Sequence, residues 1–266
     1  MLEFCAVILN EEKMNSKKTA IVTGGSRGLG REMVLNLAKE NHNIIFSYHS
    51  QKEKADEVIK EVKQLGANAV AFPYDANDIK SGEEFLKNVI KYQEENYGTP
   101  NFDFLINNAG TGTYNLIKDT EEEQFDTMLN IHLKSVYFLT QKALSYLNES
   151  GRIINISSGL TRFSLPGMSS YAIMKSAVET FTKYLAKELG ERKITANVVA
   201  PGAIATDFAG GTNRDNLEKR TIIENITALG RVGEAEDIGG VVSFLCSEKA
   251  GWINGQRIEV SGGMVL

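Results

Sequence analysis

Three residues in the stretch Asn155 to Ser176 carry side chains suited to proton chemistry: Ser158, Tyr171 and Lys175. Tyr171 and Lys175 stand four residues apart in a segment with helical patterning, a little over one turn, so phenol and ammonium share a face. Ser158 comes thirteen residues before Tyr171, where the apolar run Arg152-Ile153-Ile154-Asn155-Ile156 gives way to a loop holding Gly159, Pro166 and Gly167. That arrangement puts a hydroxyl, a phenol and an amine within reach of one carbonyl oxygen. A free phenol, with a pKa of about 10, exchanges protons poorly near neutrality. An ammonium at about 4 Å is worth about 4 kcal/mol at an effective dielectric near 20. Lys175 is therefore expected to lower the phenol and make Tyr171 a usable proton donor and acceptor. Tyr-x-x-x-Lys alone arises by chance in many helices, so its meaning rests on the elements around it.

Those elements alternate. Short apolar runs predict strands over 19–23, 43–48, 68–74, 102–107, 152–156, 194–200 and 257–260. Amphipathic spacing predicts helices over 28–41, 52–65, 81–97, 121–147, around Tyr171 and over 235–246, with 207–221 left as a loop. Strands that are apolar nearly throughout, each followed by a helix, imply a parallel sheet covered on both faces. The fold expected is α/β, a doubly wound parallel sheet of Rossmann type in a single domain over 16–266. Residues 1–15 read as an extension: Leu2 to Leu9 is apolar but too short to span a bilayer, and no cleavage pattern follows it.

Composition narrows the partners. A net charge of −5 with no Lys/Arg cluster argues against nucleic acid and anionic membranes. Cys5 and Cys246 lack metal-ligand spacing, and His42, His49 and His132 are scattered, so no metal is expected and a reducing cytoplasm fits best.

Ligands of doubly wound sheets bind beyond the carboxyl ends of the strands. The first such end is Thr23-Gly24-Gly25-Ser26-Arg27-Gly28-Leu29-Gly30, a strand, glycine loop and helix start. Glycines let the backbone approach a pyrophosphate, whose charge suits a helix N-terminus. Nucleotide contacts are expected from Gly24, Ser26, Arg27, Gly28, Leu29 and Gly30.

Taken with Asn107-Asn108-Ala109-Gly110, Ser158, Tyr171-x-x-x-Lys175 and Pro201-Gly202, in that order, the chain from about Lys17 onward resembles the short-chain dehydrogenase/reductase family. Its C-terminal part, from Gly230-Arg231-Val232-Gly233 to Gly262-Gly263, resembles the family's bacterial 3-oxoacyl-(acyl-carrier-protein) reductases, enzymes of fatty acid biosynthesis. The resemblance implies that Tyr171 gives a proton to a ketone oxygen as hydride arrives from nicotinamide. Ser158 would hydrogen-bond that oxygen, and Lys175 would bind the nicotinamide ribose. Asp75 and Ala76 would meet the adenine, Asn108, Ala109 and Gly110 the adenosine and ribose side, and Pro201, Gly202, Ile204 and Thr206 the nicotinamide end. A homotetramer paired through helices 121–147 and 168–190 and the C-terminal region is implied as well. One position departs from the pattern: the family's water-holding asparagine, seven residues after Phe125, is here His132, and Asn130 falls two residues early.

The expected cofactor is NADP(H). NAD sites place an acidic residue about twenty residues beyond the glycine loop, but the second strand ends Phe46-Ser47-Tyr48-His49-Ser50, with no carboxylate before Glu53. Arg27 can offer a 2′-phosphate planar donors, and His49 or Ser50 a further hydrogen bond. The substrate is expected to be a small or carrier-bound carbonyl compound. A sugar, steroid or other secondary alcohol is the alternative; a non-enzymatic binding protein would usually have lost Tyr171 or Lys175. For an acidic carrier, Arg192 offers a docking charge, whereas Glu149 opposes one.

Overall fold

Adjacent residues of each central strand enter different cores, because side chains alternate across a strand. In β1 (Thr19–Val22), Ala20 and Val22 join Met33, Leu37, Val242 and Leu245, whereas Ile21 joins Phe85, Val89, Leu105 and Leu185. β1 is followed by α1 (Gly28–Lys39), β2 (Asn43–Tyr48), α2 (Lys52–Gln64), β3 (Ala69–Pro73), α3 (Ile79–Tyr97) and β4 (Phe102–Asn107). The chain continues through α4 (Glu122–Leu129), a π turn (Asn130–Lys134), α5 (Ser135–Ala143), β5 (Leu147–Ile156), α6 (Ser169–Glu188) and β6 (Thr195–Pro201). It closes with α7 (Leu217–Asn225), α8 (Glu236–Cys246) and β7 (Arg257–Val260). This computed structural model describes residues 17–266, so the extension expected over 1–15 lies outside the described residues.

The seven strands are all parallel and ordered β3-β2-β1-β4-β5-β6-β7. Helices α1, α2 and α8 cover one face and α3, α5 and α6 the other. This is the doubly wound sheet expected from the alternation. The order reverses between β1 and β4, where Val22 pairs with Ile106, and the loops leaving those strands diverge to open a crevice. Among the described residues no helix is long and apolar enough to cross a membrane.

Two stretches differ from the sequence reading. The helix expected over 121–147 is interrupted by the π turn and stops at Ala143. Ala143, Leu144 and Leu147 keep helical spacing, but Leu147 pairs with Phe102, and Asn148 donates to Asp103 at 3.0 Å, which recruits both residues to β5. The stretch read as a loop over 207–221 contains a single helical turn, Thr212–Asp215, and the start of α7. Asn216 caps α7 by accepting from the Lys219 amide at 2.9 Å.

Candidate active site

The carboxyl ends of β1, β4, β5 and β6 bring the chemistry-bearing residues together. Asn107 pairs with Asn155 and Ile156 with Val199, so the residues just beyond these strands meet at one edge. Beneath them Asn107 donates to Thr140 at 2.9 Å and to Asn155 at 2.8 Å, and Asn155 donates to Thr182 at 2.9 Å. Each of these buried amides has partners, which rigidifies the platform.

The glycine loop is fixed from both sides. The Gly24 amide donates to the Ser47 hydroxyl at 2.9 Å and that of Gly25 to the Ser47 carbonyl at 2.8 Å. From β4, the Asn108 side chain donates to the carbonyls of Thr23 at 2.9 Å and Gly24 at 3.2 Å. The Thr23 hydroxyl accepts from the amides of Asn108 and Ala109, both at 2.9 Å. A Cβ on Gly30 would lie 2.0 Å from the Gly24 carbonyl oxygen, so no other residue fits there. Gly24 has φ +69°, a conformation side chains rarely adopt. Arg27 flanks α1 without capping it through its side chain, and the first-turn amides have no intrahelical partners, so the loop presents free donors where an anion sits. The residues present fit a dinucleotide phosphate.

On α6, Tyr171 and Lys175 are both buried. The Lys175 ammonium donates to the Ile156 carbonyl at 2.7 Å and lies 5.6 Å from the centre of the Tyr171 ring. Burial lowers its pKa to about 8. The downward pull expected from Lys175 does not govern the phenol. Burial pushes Tyr171 well above its ordinary range, opposed by a side-chain hydrogen bond with Ser158. Tyr171 is thus kept protonated. Ser158, half-buried, also accepts from the Leu160 amide at 3.2 Å.

His132 sits in the π turn, a local widening of the helix. Its ring meets Tyr171 edge-on, centres 4.9 Å apart, and lies so close to Gly110 that a Cβ there would come 2.8 Å from Cε1. Nε2 donates to the Thr111 carbonyl at 2.7 Å, which fixes the proton on that nitrogen, while the buried Nδ1 has no partner. Burial first, and the Lys175 charge second, push its pKa down to about 3, so the imidazole is neutral at any working pH. Asn130 turns away to Asn77, at 3.2 Å.

The outer residues follow. Asp75 accepts from the Asn77 amide at 2.9 Å and faces His49 across 3.9 Å, with Ala76 alongside. Pro201 ends β6, and the Gly202 amide donates to Val260 at 3.0 Å. Ile204 bridges to Gly233, and Thr206 reaches back beside Gly28. Phe208 then lies 5.8 Å from Tyr171, ring centre to ring centre, and against Gly112, where a Cβ would come 2.8 Å from it.

Several contributors escaped the sequence reading. Glu179, one turn beyond Lys175, accepts from Ser157 and Thr161 at 2.7 Å each and from Arg257 at 2.9 Å. Arg257 also donates to the Ser158 carbonyl at 3.2 Å, so this network holds the loop that carries Ser158. The four-residue step from Lys175 was the available signal for Glu179. Asp207, which faces both Arg27 and Lys54, and Lys54 itself gave none. Arg192 is a correction: it pairs with Glu149 at 2.8 Å and donates to the Leu144 carbonyl at 2.8 Å, at the amino end of β5. That is the opposite end of the strand from Ser158, so neither residue borders the site.

A family described as enoyl-(acyl carrier protein) reductase matches residues 24–265. The chain belongs to this family of short-chain dehydrogenases/reductases. Among curated relatives it is similar to the 3-oxoacyl-(acyl-carrier-protein) reductase FabG of Staphylococcus aureus, 37% identical over 95% of this chain and 100% of that one. Among solved structures it resembles LugOII, described as a promiscuous reductase catalysing keto-reduction at C1 in lugdunomycin biosynthesis. The TM-score is 0.89 at 36% identity, over 94% of this chain and 98% of LugOII. It also resembles the angucycline C-6 ketoreductase LanV with bound NADP: TM-score 0.89, 33% identity, 93% and 95% covered. The protein is a short-chain oxidoreductase.

Proposed function

We propose that the protein reduces a ketone to a secondary alcohol with NADPH. The observation that carries this reading is the meeting of Ser158, Tyr171 and Lys175 at the switch-point edge, beside the glycine loop. Bound nicotinamide supplies the hydride. Tyr171 holds the proton that the carbonyl oxygen takes, and burial keeps that proton in place until charge develops on the oxygen. Ser158 hydrogen-bonds the same oxygen. Lys175, whose pKa near 8 leaves it charged at neutrality, stabilises negative charge arising on Tyr171 and meets the nicotinamide ribose. His132 positions the Tyr171 ring by packing edge-on against it, and its free Nδ1 is the acceptor for a water. Phe208 lies beside the Tyr171 ring, 5.8 Å between centres. Gly24, Ser26, Gly28, Leu29 and Gly30 hold the pyrophosphate, and Arg27 with His49 reads the 2′-phosphate. Asp75, Ala76, Asn108, Ala109 and Gly110 line the adenosine side; Pro201, Gly202, Ile204 and Thr206 line the nicotinamide end.

For the substrate, likeness to FabG supports a 3-oxoacyl thioester, with a place in cytoplasmic fatty acid synthesis. A polycyclic aromatic ketone is the second reading. It is favoured by the apolar side chains exposed on the connections after β4, β5 and β6: Tyr114, Ile117, Leu165, Phe208 and, at the start of α7, Leu217. The same surface disfavours a sugar. The test is NADPH oxidation with a 3-oxoacyl thioester, a bicyclic aromatic ketone and a ketose. The two apolar ketones should exceed the ketose by a hundredfold or more in kcat/KM, on the order of what one unmatched polar group costs; turnover of the ketose alone would contradict the reading. Assembly as a homotetramer is supported by the exposed Tyr137, Ile173 and Tyr184 on the pairing helices and Trp252 near the C-terminus. Sedimentation should give a four-chain mass; a monomer would refute it.

A further inference from the structure

Asp207 follows β6 yet lies among cations that belong to the cofactor side. Its Oδ2 stands 3.6 Å from the Arg27 guanidinium, beside the glycine loop, and 3.5 Å from the Lys54 ammonium, in the first turn of α2. Its Oδ1 accepts from Arg214, a few residues further on. The end of β2 and the start of α2 are where a doubly wound fold receives the adenosine ribose, and β2 ends without a carboxylate of its own. An anion from the substrate side therefore occupies the cation pair. Building on the NADPH reading, we propose that Lys54 joins Arg27 in binding the cofactor's 2′-phosphate. That phosphate displaces Asp207, whose departure releases Phe208 from Tyr171.

Charge decides the exchange. Asp207 brings one negative charge, whereas a phosphate monoester brings roughly −1.5 to −2 and three acceptor oxygens. The side chains of Arg27 and Lys54 are about half exposed, and Asp207 itself about a third, so each ion pair is weak singly and yields to a stronger anion. Arg214 keeps Asp207 paired after it leaves, since both belong to the moving segment. That segment turns sharply through Ala209, Gly210 and Gly211, with φ +50°, +74° and +75°. Phe208 is the residue next to Asp207 and the one over Tyr171, so the adenosine end of the cofactor is sensed above the reacting carbonyl. NADH, without the phosphate, leaves Asp207 in place.

The test uses adenosine 2′,5′-bisphosphate and adenosine 5′-monophosphate as probes, with calorimetric Kd values and hydrogen exchange over residues 206–216. Wild type should bind the bisphosphate more tightly. Asp207→Asn should tighten the bisphosphate severalfold and Lys54→Met weaken it about tenfold, with monophosphate binding unchanged in both and so reporting an intact fold. Exchange over 206–216 should rise with the bisphosphate, not with the monophosphate, and should already be high in free Asp207→Asn. If wild type discriminates but neither variant changes the ratio, or exchange does not respond, this inference falls while the NADPH reading stands. If wild type does not discriminate between the probes, the NADPH reading falls and takes the inference with it.

Discussion

The glycine loop after β1 and the segment after β6 approach each other where Thr206 lies beside Gly28, and they are held by different kinds of contact. The loop is fixed by short hydrogen bonds that its backbone accepts from Asn108 and donates to Ser47, with a glycine packed at a distance no side chain tolerates. Such contacts have one geometry, so the cofactor side is preorganised. The segment from Asp207 onward is held by partly exposed ion pairs and by Phe208 lying on Gly112, and it exposes Leu217 and Ile222. Contacts of that kind admit several arrangements at similar free energy. In the proposed ketone reduction the cofactor side is therefore the rigid one and the substrate side the adaptable one.

The largest effect that probes this contrast falls on the rigid side. Lys175→Met should lower kcat by about 10²–10⁴-fold, the range associated with losing assistance to proton transfer. It should also change how stability follows pH in the cofactor-free protein. In the folded state Lys175 releases its proton near pH 8, and in the unfolded chain near its ordinary 10.5. Between those values the unfolded chain binds more protons, so wild-type stability gains as pH rises through that window; below pH 8 both states hold the proton and the burial penalty is constant. Tm of Lys175→Met minus that of wild type should therefore shrink from pH 8 to 10.5. Parallel Tm curves would show that Lys175 is not strained by burial.

This contrast also explains what was legible in the sequence. Glycine spacing, the strand-end Asn108 and the Tyr171–Lys175 step express local backbone geometry, so each is legible in the sequence alone. Lys54 and Asp207 meet only because β2 and β6 end at the same edge, and no local pattern marks that. Arg192 was misplaced for the related reason that sequence proximity to a strand does not say which end of it a residue occupies. The π turn at His132 was invisible because the apolar spacing runs through it unbroken. The raised Tyr171 pKa is not legible either, because it comes from burial of the ring, which the spacing to Lys175 does not carry.

A smaller effect concerns the cofactor. Arg27→Ala should reduce the NADPH-over-NADH preference in kcat/KM by about tenfold to a hundredfold, the worth of one charge-assisted contact. Equal use of both cofactors by wild type, or an unchanged ratio in the variant, would sink the assignment of Arg27.

The smallest effect should come from His132. His132→Asn should keep or raise activity, and His132→Leu should slow it by less than the 10²–10⁴-fold of losing a general acid. With its pKa near 3, no histidine limb should appear in the pH–rate profile between pH 5 and 8. An inactive His132→Asn with a native circular-dichroism spectrum would mean that imidazole itself is required.

The central claim is that Tyr171 delivers the proton from a preformed site. Tyr171→Phe keeps the ring packed against His132 and removes only the hydroxyl. Single-turnover oxidation of bound NADPH by a ketone substrate should fall by at least a hundredfold in this variant, with the NADPH Kd changed by no more than severalfold. Retention of more than about a tenth of the wild-type rate would contradict proton delivery by Tyr171.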